Sequence, residues 1–161
     1  MSRLEIGDIA PNFSFAGPHD KTIELENLTG KILVIFFVRS LFWRQCRTRT
    51  SEFGRTLDKF RAEDAEILIV VPEKREKALK YASSMGFSGF VVPDAEKKIY
   101  HRYGLDTSFM GAMQKSEVFV IDASGELAFA QGHGSPLRLP KVTEVLDVVK
   151  SLHEKGSSKN N

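Results

Sequence analysis

A chain of 161 residues suits one compact domain that closes its core without staples. Apolar residues make up 42% and charged residues 27%, and a net charge of +2 is too small to argue for nucleic acid or a membrane surface as partner. One cysteine excludes an internal disulfide and a cysteine-based tetrahedral metal site, and the histidines at 19, 101, 133 and 153 lack ligand spacing, so neither metal nor cofactor is expected.

The opening MSRLEIGD has no apolar signal core, and the longest apolar run, residues 32–38, falls far short of the roughly 20 residues that span a bilayer. The expectation is a cytoplasmic protein. Residues 32–38 form a continuous apolar run, the pattern of a strand buried on both faces of a mainly parallel sheet. From about 42 to 62 the period changes: Cys46, Phe53, Leu57 and Phe60 recur at seven, four and three residues, the stripe of an amphipathic helix. EILIVV, 66–71, reads as a second buried strand. Residues 73–85 follow as a helix with Ala78, Tyr81, Ala82 and Met85 on one face, ended by Gly86.

The segment GFVVPD is a short strand leading into a helical turn, AEKKIYHRYG. EVFVIDASGELAFAQ reads as two strands joined by a turn at 122–125. Val142, Val145, Leu146, Val149 and Leu152 line a last helix, with Pro140 in its first turn. The order β, β, α, β, α, β, short α, β, β, α predicts an α/β fold over 1–155, with a small polar tail at 156–161 that frays. Such a sheet presents chemistry at the C-terminal ends of its strands, and Cys46 stands just past one.

A thiolate, not a thiol, is the nucleophile, so reactivity depends on lowering a pKa of about 8.5. The start of a helix offers free N–H groups and partial positive charge, and Arg39, Arg44, Arg47 and Arg49 add Coulomb attraction. Two such effects of ~1 kcal/mol each would populate the thiolate substantially at neutral pH. The other reading is structural: free cysteine is among the most buried residue types, and Cys46 is in register with Phe53, Leu57 and Phe60. On local pattern the two stand about even.

Five segments in order resemble the peroxiredoxin branch of the thioredoxin-like superfamily, the alkyl hydroperoxide reductase/thiol-specific antioxidant family. Gly7, Ala10, Pro11 and Phe13 match its opening G-x-x-A-P-x-F; IELENLTGK is similar to the segment before its first central strand, and ILVIFF to that strand. KREKALKYASSMGFSGFVVPDAEKKIYHRYGL resembles its helix, short strand, Asp and helix ending in Tyr-Gly, and VFVIDASGELAF its F-x-I-D-x-x-G hairpin. The resemblance implies a thioredoxin-like fold of peroxiredoxin type, a central mixed sheet flanked by helices. It also implies a peroxidatic cysteine, Cys46, in the first helical turn after the strand. Its thiolate would cleave the O–O bond of a hydroperoxide and become a sulfenic acid, which an external thiol such as thioredoxin or glutathione would reduce. A homo-oligomer is left open.

The family's P-x-x-x-T/S-x-x-C motif departs here: Arg39 stands at the Pro position and Trp43 at the Thr position. The family's distant Arg falls near Ser116, where only Lys115 is close. A related redoxin subgroup has Arg at the Pro position and a C-x-x-C motif, in which Trp43 replaces the first cysteine. The cis-proline common before the later strand is absent from QKSEVFV. Arg39 is a candidate stabiliser of thiolate or peroxide, and Trp43 a candidate pocket wall. His133 in QGHGSP and the apolar-rich stretch 107–114 are further candidates for the surroundings of the thiol, against plain surface-loop and core readings. Asp94 and Asp122 read as turn and strand-end residues. The leading function is a one-cysteine peroxidase. Its rivals are a monothiol redoxin forming mixed disulfides and a peroxidase-deficient redox sensor or binding protein.

Overall fold

A computed structural model describes residues 4–106, 115–132 and 138–159. Two short strands, β1 (Ser14–Ala16) and β2 (Thr22–Glu24), pair as an antiparallel hairpin ahead of the main sheet. Then follow β3 (Ile32–Phe37), α1 (Arg44–Arg61), β4 (Ala65–Val71), α2 (Arg75–Ser84), β5 (Phe90–Pro93), α3 (Lys98–Arg102), β6 (Glu117–Ile121), β7 (Leu127–Gln131) and α4 (Val142–Lys159). The sequence reading places one strand ahead of residue 32, and the structure has two. Helix α4 begins at Val142, so Pro140 precedes it rather than occupying its first turn, and it carries on through residues 156–159.

The central sheet runs β5-β4-β3-β6-β7. β3 pairs in parallel with β4, and β4 with β5, whereas β6 and β7 add antiparallel. Residues 32–38 are buried throughout because strands flank β3 on both edges and side chains cover both of its faces. Val34, Phe36 and Val38 face a cluster built with α1, α2 and α4, through Cys46, Phe53, Tyr81 and Val145. Leu33, Ile35 and Phe37 face the opposite cluster, built with α3 and the β1–β2 hairpin through Tyr100, Tyr103, Phe13 and Phe15.

Helix α1 buries Cys46, Phe53, Leu57 and Phe60 as the spacing predicts, with Thr50 added to the same stripe. Its middle lies against the turn after α2: a Cβ at Gly54 would come within 2.4 Å of the Gly86 carbonyl oxygen, so only glycine permits this approach. Gly86 itself has φ 72° and ends α2 with Gly86 N–H donating to Ser83 O and Phe87 N–H to Ala82 O, a glycine-terminated cap. Asp94 and Asp122 take the roles read from the sequence. The Asp94 carboxylate accepts the backbone N–H groups of Lys98, Ile99 and Tyr100, and Asp122 accepts those of Ser124 and Glu126. Among the described residues no helix is long and apolar enough to cross a membrane, and no group of His, Cys, Asp and Glu could hold a metal ion.

Candidate active site

Strand β3 ends at Phe37, and a six-residue connection, 38–43, carries the chain into α1 at Arg44. Trp43 is the N-cap with extended backbone (φ −74°, ψ 121°), and its carbonyl accepts the Arg47 N–H at 3.0 Å. The indole cannot cap the helix as a Ser or Asp would, and no side chain does so. Cys46 is the third helical residue, at the C-terminal end of the central strand.

The Cys46 sulfur is fully buried and accepts the Arg39 backbone N–H at 3.3 Å. Burial pushes its thiol pKa up. The Arg39 backbone N–H opposes this most, followed by the Ser40 backbone N–H and the charges of Arg39 and Arg49. The expectation that helix start and arginines leave the thiol substantially ionised at neutral pH is therefore corrected: desolvation outweighs them, because the stripe that aligns Cys46 with Phe53 also removes it from water. Arg44 and Arg47 point to solvent and are not among the groups that act on the sulfur. Arg49 is anchored elsewhere, its Nε donating to Pro140 O at 2.7 Å and Nη1 lying 3.6 Å from Glu52.

Arg39 leaves β3's end half-buried and lays its guanidinium over the Trp43 ring, 4.1 Å from the centroid. Backbone and side chain of one residue thus touch both the thiol and its neighbouring ring. Trp43 is partly buried against the cluster that contains Val38 and Cys46. The Trp43 backbone N–H donates to Ser40 Oγ at 3.2 Å, fixing the loop before the helix.

Two residues not singled out from sequence as part of the site complete the thiol's surroundings. Thr50 Oγ1 donates to the Cys46 carbonyl at 2.8 Å and lies 2.9 Å from the Tyr81 hydroxyl. A threonine hydroxyl has one proton, so Tyr81 must donate to Thr50. The chain of bonds ties α2 to the first turn of α1. Burial raises the Tyr81 pKa to about 12, so the hydroxyl keeps its proton and stays a donor. The position of Thr50, four residues past Cys46, could have signalled the first bond, but nothing local points from Thr50 to Tyr81. On the other side of β3, the Tyr100 hydroxyl reaches Val38 O at 2.5 Å and Val70 O at 2.9 Å, holding the strand ends just before Arg39.

Ser116 stands immediately before β6, fully buried, and no peptide bond is cis among the described residues. Lys115 is half-buried beside it. His133 and residues 107–114 lie outside the described residues.

Comparisons with known proteins agree with this architecture. The chain is 27% identical over 131 residues to peroxiredoxin Bcp of Bacillus subtilis (strain 168), covering 77% of this chain and 82% of that protein. It is 23% identical over 132 residues to peroxiredoxin Bcp of Escherichia coli (strain K12), covering 79% and 85%. Among structures, AhpC of Mycobacterium tuberculosis superposes with a TM-score of 0.79 at 23% identity, over 96% of each chain. Peroxidoxin BcpB of the same organism superposes with a TM-score of 0.80 at 18% identity, over 93% of this chain and 99% of its own. These structures share the thioredoxin-like peroxiredoxin fold. With a strand-end cysteine opening α1 and a family model matching residues 6–130, the chain belongs to the AhpC/TSA family.

Proposed function

We propose that the protein is a thiol-dependent peroxidase that reduces hydroperoxides through Cys46. The observation that carries this reading is the placement of the single cysteine in the first turn of α1, its sulfur held by the Arg39 backbone N–H. The similarity to two proteins named peroxiredoxin Bcp supports it. The thiolate sulfur attacks one peroxide oxygen, an S–O bond forms as the O–O bond breaks, and the other oxygen leaves to become water or alcohol. Sulfur is oxidised by two electrons. With no second cysteine in the chain, an external thiol such as thioredoxin or glutathione condenses with the sulfenic acid, and a second thiol releases Cys46. A cytoplasmic setting supplies such thiols. Arg39 steadies the loop and lends charge to the sulfur, while Trp43 walls the site.

A second reading, a redox sensor that is oxidised slowly, is favoured by one observation: the thiol is fully buried and its pKa raised. Stoichiometric hydrogen peroxide separates the two. A peroxidase gains one oxygen on Cys46, followed by intact mass, far faster than free cysteine, and Cys46→Ser gains none. A rate no greater than that of free cysteine rejects the peroxidase. Mixed disulfide formation by exchange with oxidised glutathione, reduced glutathione leaving, without fast oxidation by peroxide would instead mark a monothiol redoxin.

A further inference from the structure

At the end of the sheet opposite the thiol, a cavity of about 380 Å³ lies between the N-terminal segment, the chain just before β3 and the β6–β7 turn. Its base is apolar: the buried Leu25, Leu33 and Ile121 line it, with Pro11 and the exposed Ile9 at its side. The walls are bonded to one another. Leu33 of β3 pairs with Ile121 of β6. Ala10 N–H donates to Gly125 O, Gly30 N–H to Ala123 O and Glu26 N–H to Asn12 Oδ1, each at 3.0 Å. A Cβ at Gly125 would stand 3.7 Å from the Thr29 methyl, so the hairpin turn and the segment before β3 close one side together. The volume suits a small molecule, and sites for small molecules are mainly apolar with a few placed polar groups. The cavity sits at the start of β3, whereas the thiol lies past its end, about 15 Å or more away at roughly 3.3 Å per residue.

The polar groups that line it are mostly acceptors. Thr29 Oγ1 gives its proton to Glu26 O at 2.6 Å, and Ser124 Oγ gives its own to Asp122 Oδ1 at 2.7 Å. Both hydroxyl oxygens therefore have only lone pairs left to offer. Among the described residues the Glu26 carboxylate has no hydrogen-bond or ion-pair partner, and no Lys, Arg or His lines the cavity. Against these three acceptors stands one donor group, the Asn12 amide NH2, whose Oδ1 is taken by the Glu26 N–H. An ammonium carries three N–H donors and no acceptor, and it matches that set. A neutral alcohol has a single proton to give and leaves the carboxylate without a counter-charge. An anionic head meets lone pairs and a like charge.

We propose that this cavity binds a small amphipathic amine, its apolar body on Leu33, Ile121 and Ile9 and its ammonium toward Glu26, Thr29 and Ser124. The site shares no residue with the surroundings of Cys46, so it stands or falls apart from the peroxidase reading. A lysine side chain of another protein would bring the same head. The broad apolar base favours a free amine with a ring-sized body, because the unbranched four-carbon stem of lysine fills it less.

The test titrates the isotope-labelled full chain by NMR with phenethylammonium, phenethyl alcohol and phenylacetate, which share one apolar body and differ in the head. A lysine capped as an acetyl methylamide is the fourth probe. Phenethylammonium should bind saturably, with amide shifts centred on Ala10, Thr29 and Gly125. The alcohol should bind about fivefold more weakly, the scale of a partly exposed ion pair, and phenylacetate and the capped lysine more weakly still. Glu26→Gln should cost the ammonium about fivefold and leave the alcohol within about twofold of wild type. Ile9→Ala, at a side chain 69% exposed and so without consequence for folding, should weaken ammonium and alcohol alike. Equal affinity for phenethylammonium and phenylacetate, ammonium binding in Glu26→Gln within about twofold of wild type, or shifts that spread over the surface without saturating overturn the assignment. Capped lysine bound as tightly as phenethylammonium overturns the free amine as occupant. A Cys46 thiol no faster than free cysteine overturns the peroxidase reading and leaves this site untouched.

Discussion

At Cys46 two influences oppose each other on one sulfur atom. Burial favours the neutral thiol, while two backbone N–H groups and the charges of Arg39 and Arg49 favour the thiolate, and burial prevails. Oxidation by hydrogen peroxide should therefore accelerate with pH and still be rising beyond the ordinary thiol pKa. Rapid-mixing rates across the neutral and alkaline range check this, and a plateau already at neutral pH would contradict it. The same shift bears on stability. A folded-state pKa raised above the unfolded value gives a contribution that is complete below the unfolded pKa and lost as pH rises toward the folded one. Arg39→Ala should raise the thiol pKa further, since it removes a charge yet leaves the stronger backbone bond in place. The sequence could supply the arginines near the thiol but not the outcome, because four guanidinium groups are worth little where two of them, Arg44 and Arg47, turn to water.

Among the α-helices of the described residues, α3 is the shortest, five residues long, and it has no Ser or Asp at its N-cap. Lys97 stands there in the left-handed region at φ 60°. Its free N–H groups are satisfied instead from Asp94, which is 7% exposed and accepts three of them. Asp94→Ala strands those donors, and by the usual scale for hydrogen bonds to charged groups it should cost about 2 kcal/mol in urea unfolding. Because α3 carries Tyr100, whose hydroxyl holds Val38 O, that loss should also loosen the chain just before Arg39. The helices and the long buried strands were legible because their apolar period is strong over many residues. The hairpin β1–β2 was only half legible: three-residue strands such as SFA have too few positions to show a period. Nor does a continuous apolar run distinguish parallel from antiparallel neighbours, so the antiparallel side of β3 came from the resemblance to a mixed sheet, not from the pattern.

For the molecule as a whole, the sheet separates two cores with different tasks. One holds the thiol among α1, α2 and α4, and the other is an aromatic cluster in which Phe37 contacts Tyr100, Tyr103 and Phe119 with ring centroids 5.1–5.6 Å apart. Phe13, 3% exposed, joins that second core through Tyr103 at 5.9 Å and pins the N-terminal hairpin to the sheet. Phe13→Ala should destabilise the domain by about 3–5 kcal/mol. Below its melting temperature, Cys46 should still oxidise at the wild-type rate, because the sheet lies between them. Thermal unfolding and oxidation rates on the same variant measure both effects. This division explains why the fold was more legible than the site: Gly7, Pro11 and Phe13 are read in their own stretch of chain. The surroundings of Cys46 join Arg39 from the loop after β3, Thr50 from α1 and Tyr81 from α2, and no local pattern links them.

The close approach of Gly54 to Gly86 also makes α1 mechanically uneven. Past that contact the helix is clamped, with Arg61 bonded to Glu66 and Glu63 to His153. Ahead of it, the first turns are held by Arg49 on Pro140 O, by Thr50 and Tyr81, and by the loop at Arg39. Under the proposed function, a partner thiol meets the buried sulfur only where the bonds of Arg49, Thr50 and Tyr81 at these first turns give way.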